Sequence, residues 1–116
     1  MKPQTLALVP FTAGDTWEGI PGIVVTINGA APVSAMSLVT MRFRKSGLAA
    51  STAVELSSAQ AGQIAITNAA TWAFNVPEQI VAGLTAGTWT WQIRITNAAG
   101  VKKTYLVGEI IVLDTV

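Results

Sequence analysis

Thr88 to Thr96 reads Thr-Trp-Thr-Trp-Gln-Ile-Arg-Ile-Thr, and every second residue is large and apolar. Trp89, Trp91, Ile93 and Ile95 alternate with Thr90, Gln92 and Arg94. Successive side chains leave a strand on opposite sides, so this period of two predicts a β-strand with one buried and one wet face. A helix would scatter both sets around its circumference. Two indoles on one face supply a large apolar area that demands a second layer to cover it. The stretch is therefore the expected centre of a two-layer core.

The rest of the chain repeats the pattern in shorter pieces. Strands are expected over Thr5–Phe11, Ile23–Ile27, Met36–Lys45, Ala53–Ser57, Gln63–Thr67, Thr71–Val76 and Val101–Leu113. Val39, Met41 and Phe43 point inward, with Thr40, Arg42 and Arg44 outward; Leu56 opposes Glu55 in the same way. The intervals read as turns: Thr12–Thr16, Asn28-Gly29, Ser46-Gly47, Ser58–Gly62, Asn68–Ala70 and Asn97–Gly100. Glu18–Gly22 reads as irregular, exposed backbone. Pro77–Ala82 is compatible with one helical turn, since Pro suits the first helical position. On Val101–Leu113, Thr104, Leu106, Ile110 and Val112 share a parity with Gly108, which marks a bulge or a close backbone approach. Ile111 and Leu113 are apolar on the opposite parity, as expected if that end is covered on both sides. Together these readings give an all-β chain, an antiparallel β-sandwich of about eight strands, with residues 1–116 as a single domain.

Composition narrows the function. Of 116 residues, 51% are hydrophobic and only 11% charged, well below the roughly 25% of an average soluble domain. So little charge fits a surface partly covered by sister subunits or other proteins, or one that Thr, Ser, Asn and Gln keep soluble without charges. The net charge of +1 does not point to nucleic acid or an anionic membrane. The chain has no Cys and no His, which removes disulfides, thiol nucleophiles, and the commonest general base and metal ligand. Pro10 follows the first apolar run too closely for a signal peptide, and no window has the roughly 20 apolar residues of a membrane-spanning helix. Synthesis in the cytoplasm is expected.

Few residues invite a chemical role. Asp15 and Glu18 are close in sequence, but two carboxylates supply too few metal ligands and no partner base; a turn-capping Asp15 and a solvated Glu18 are expected instead. No catalytic residue, metal site or cofactor is expected. Arg42, Arg44 and Lys45 form a small basic cluster that shields a strand face, and Lys102-Lys103 is a solvated tip. Trp72, Trp89 and Trp91 share faces with other apolar residues and belong to the core. Trp17 lies beside a turn, and is the expected partly exposed contact residue, with Asp15, Ile111 and Leu113 as further partner contacts.

Several segments resemble one known family. Ala13-Gly14-Asp15-Thr16 followed by Trp17 resembles the Gly-Asp-Thr opening of small phage and prophage tail proteins. Met41-Arg42-Phe43-Arg44 is similar to that family's strand with Met and Arg. Leu84-Thr85-Ala86-Gly87-Thr88-Trp89-Thr90-Trp91 resembles its strand with Leu, Gly and two spaced aromatics. Asn97–Gly100, Thr104 and Gly108–Val112 resemble its closing hairpin. Val33-Ser34-Ala35-Met36 departs from the family's Asp-Leu-Thr-Gly. The resemblance is to the immunoglobulin-like N-terminal domain of phage upper-baseplate and tail-fibre proteins. It implies a virion structural protein of tail or baseplate, a homo-oligomer with other virion proteins as partners, and neither nucleic-acid nor membrane binding. The alternative is a carbohydrate-binding or adhesion module using Trp17 and nearby loops.

Overall fold

The computed structural model describes residues 4–26, 29, 32, 34–45 and 53–114. They form nine strands: β1 (Gln4–Thr5), β2 (Phe11–Thr12), β3 (Ile20–Val24), β4 (Met36–Lys45), β5 (Val54–Ser57), β6 (Ala65–Asn68), β7 (Ala73–Val76), β8 (Gly87–Asn97) and β9 (Lys102–Leu113). One sheet has the order β1-β9-β8-β4-β5, with β2 also on β9; the other is β3-β7-β6. Two sheets in this order are consistent with an immunoglobulin-like sandwich, its B-E-D strands facing G-F-C-C′.

The strand read first is central. β8 pairs with β4 on one side and β9 on the other, with Phe43 opposite Trp91, Met41 opposite Ile93 and Val39 opposite Ile95. All of these side chains are at most 2% exposed. The second sheet adds Ile20, Phe74 and Val76 to the same buried cluster, and Ile64, Trp72 and Leu84 join it from outside the strands.

The N-terminal strand and the all-antiparallel expectation need correction. Thr5–Phe11 is two contacts of two residues each, and both run parallel to β9. Thr5 pairs with Val107 and Phe11 with Val112, so the N-terminal segment takes six steps where β9 takes five. One residue is in excess, and Pro10 has no N–H for the ladder, so the two contacts do not join into one regular strand.

Other boundaries shift for local reasons. β3 begins at Ile20, inside the stretch expected to be irregular, and carries an irregularity between Ile20 and Ile23. Gly19 is buried with φ 74°, and a Cβ there would collide with the Val76 carbonyl, so the position requires glycine. Trp72 precedes β7 with φ 56°, and its indole donates to the Ser34 carbonyl at 2.6 Å. Pro77–Ala82 forms no helical turn. Gln79 instead exchanges backbone bonds with Trp17, and its amide donates to the Gln63 carbonyl at 2.8 Å. Ile27, Asn28 and Ser46-Gly47 lie outside the described residues.

On β9 the bulge sits at Tyr105 and the close approach at Gly108. Ile93 pairs with Leu106 but Arg94 with Thr104, which leaves Tyr105 unpaired. Its ring turns onto Trp72, edge to face, at 5.2 Å. Thr104 therefore lies opposite Arg94 on the outer face, not inward with Leu106. Gly108 lies opposite Trp91, where a Cβ would collide with the Leu6 carbonyl and meet the indole at 2.8 Å.

Candidate interaction face

The outer face of the large sheet is built by the polar parity of its central strands. β4 contributes Arg42 and Arg44, β8 contributes Thr90 and Gln92, and β9 contributes Val107 and Glu109. Register sets them in rows: Arg44, Thr90 and Glu109 in one, Arg42, Gln92 and Val107 in the next. With Thr5–Ala7 on one rim they line a broad groove of about 730 Å³. Its two charge signs sit on opposite sides of β8.

Ile111 and Leu113 continue this face along β9, and each is 48% exposed. About half of each side chain is left open among the described residues, whereas the sequence implied cover on both sides. Their neighbours Ile110 and Val112 are 1% and 2% exposed on the other parity. The strand therefore buries one apolar row and presents the other.

Asp15 is exposed in the turn after β2, where its N–H donates to the Thr12 carbonyl at 3.0 Å. Thr12 pairs with Leu113, so Asp15, Ile111 and Leu113 all fall at one end of the large sheet. Trp17 does not join them. The expectation of partial exposure is overturned: Trp17 is 1% exposed, edge to face on Phe43 at 5.8 Å and tilted on Phe11 at 6.4 Å. Its backbone bonds to Gln79, Trp17 N–H to the Gln79 carbonyl at 2.7 Å and Gln79 N–H back at 2.9 Å, draw it under the sheet. Glu18 stays exposed.

The basic cluster divides as well. Arg42 and Arg44 remain on the outer face, but Lys45 has the opposite parity. Its Nζ donates to the Ala86 carbonyl at 2.7 Å and to Thr85 Oγ1 at 3.1 Å, and lies 5.9 Å from the centre of the Trp89 ring. Lys45 thus ties β4 to the approach to β8.

Among the described residues no three acidic side chains gather as a metal group would require. Sequence reasoning missed Glu109 as an acidic counterpart of Arg44. The available signal was parity: Glu109 is the polar member of β9's outer row and Arg44 that of β4's, so a register that turns both polar rows outward sets them on one face. Comparison with protein-family models, with curated proteins and with solved structures gave no match.

Proposed function

We propose that the chain is a structural assembly module of a phage or prophage particle, in the tail or baseplate, working by protein–protein contact rather than catalysis. The observation that carries this reading is the exposed pair Ile111 and Leu113 on an otherwise regular sheet face. An isolated exposed aliphatic needs no explanation, but two adjacent ones beside a broad groove suit an interface that buries them. The low charge supports it, since interface cores are depleted in charged residues. The resemblance of the Asp15, Arg42 and Trp89 segments to phage tail proteins supplies the setting. The partners are other virion proteins and further copies of the chain, and the location is the virion.

Mass spectrometry of gradient-purified particles from the source strain tests it. The expected result is this chain at fixed stoichiometry with the tail proteins. Its absence from purified particles, with its gene away from tail and lysis genes, refutes the reading. The carbohydrate alternative loses its residue, because stacking on a sugar needs an accessible ring and all four tryptophans are 1–2% exposed.

A further inference from the structure

We infer that the outer face of the large sheet docks a second copy of this chain, face to face, about a two-fold axis running along β8. The inference rests on the assembly reading and names the partner of that face.

The argument starts from the row Arg44, Thr90, Glu109. Thr90 is the middle member, with Arg44 one strand away on β4 and Glu109 one strand away on β9. All three are exposed. Neighbouring strands are about 4.8 Å apart, so the opposite charges stand about 10 Å from each other across a small side chain. A two-fold axis along β8 places β4 of one copy over β9 of the other. Arg44 then faces the second copy's Glu109, and the symmetry repeats the pair. The other in-plane axis, across the strands, would set Arg44 on Arg44 and Glu109 on Glu109. Like charges in contact are unfavourable, so the charge pattern selects the first orientation.

Size and shape agree. The three long strands β4, β8 and β9 with the short β1, β2 and β5 at the edges, at about 4.8 Å between strands and 3.3 Å per residue, give a face on the order of 650 Å². That is near the roughly 600 Å² that each partner buries at the lower end of stable, specific interfaces. The outward residues along the axis are Thr88, Thr90, Gln92, Arg94 and Thr96, and Thr88 and Thr90 are small enough for the sheets to approach to about 10 Å at that end. Arg94 also lies along β8, about 13 Å from Thr90. The inclination of about 30° that aligned sheets adopt separates the two Arg94 side chains. Ile111 and Leu113 lie toward the opposite end of the face, Ile111 in the row of Thr88.

Charge reversal with rescue tests this. Wild type, Arg44→Glu, Glu109→Arg and the double variant are compared by sedimentation equilibrium from 10 μM to 1 mM, with circular dichroism to check folding. Both positions are exposed, so all four proteins are expected to fold. The expected result is a wild-type dimer, a weakening of about tenfold or more in each single variant, and recovery to within about threefold in the double variant. A wild type that is monomeric at 1 mM overturns the inference. So do single variants that dimerise normally, or a double variant no better than the singles, which is the pattern of a different acidic or basic partner. A monomer found in purified particles overturns this inference alone. Rescue by the double variant in a chain missing from particles overturns the assembly reading alone.

Discussion

Trp17→Ala should be among the most damaging single substitutions in this chain. Trp17 is 1% exposed, between Phe11 and Phe43. Truncation to Ala removes about 150 Å² of buried apolar surface, which at about 25 cal/mol per Å² is about 4 kcal/mol. Loss of the edge-to-face pairing with Phe43 adds about 1 kcal/mol, and partial collapse of Phe11 into the space returns a similar amount. The expected loss is therefore about 4 kcal/mol, a large share of the 5–15 kcal/mol that holds a typical domain together. Urea unfolding followed by circular dichroism reads it as a lower midpoint with the slope unchanged. Trp17→Phe keeps a ring against Phe43 and should cost less than half as much. A loss below about 1 kcal/mol for Trp17→Ala would refute the placement of this indole in the core and restore it as a surface contact.

Gly108→Ala should cost about 2–3 kcal/mol, because the new methyl meets the Leu6 carbonyl and the Trp91 ring; hydrogen exchange should speed up in residues 4–12 before the rest of the chain. Trp89→Phe should cost about 1 kcal/mol more than Trp91→Phe, measured by chemical unfolding, since the Trp89 indole donates to the Thr85 carbonyl at 2.8 Å while the Trp91 Nε1 is buried without a partner. Ile111→Thr and Leu113→Thr should each change the unfolding free energy by no more than about 0.5 kcal/mol while lowering light scattering at high concentration. A cost comparable to that of truncating Ile110 would show that these side chains are packed within one molecule.

Alternation made the central strands legible. β4 and β8 are long, polar on one parity and apolar on the other, and the register pairs their apolar rows directly, Val39 with Ile95 and Met41 with Ile93. Nothing local competes with that pattern, so sequence and structure agree to within a residue. The short elements were harder because their partners are distant. Trp17 looks exposed from its neighbours Thr16 and Glu18, and what buries it is a pair of backbone bonds to Gln79, sixty-two residues away in the chain. The same bonds deny Pro77–Ala82 its helical turn, whose local signals were sound but too few to outweigh a tertiary tie. Lys45 was read with Arg42 and Arg44 by adjacency, although one step along a strand reverses its side.

The exposed aliphatic pair follows from the one strand that alternation leaves undecided. β9 is apolar on both parities, with Leu106, Ile110 and Val112 on one and Val107, Ile111 and Leu113 on the other. Hydrophobicity alone would accept either row inside, and a slip of one residue would exchange them. Trp91 decides. Its indole occupies the space where the residue opposite would carry a side chain, and the register gives it Gly108. A slip in one direction would drive the branched side chain of Val107 into that space. A slip in the other would bury the Glu109 carboxylate against an indole with no cation to meet it, a cost of several kcal/mol. Gly108 thus locks the register, and the locked register obliges Ile111 and Leu113 to face outward. Their exposure comes with the packing of the Trp91 side of the core, so an interface that uses them needs no rearrangement of the sheet to reach them.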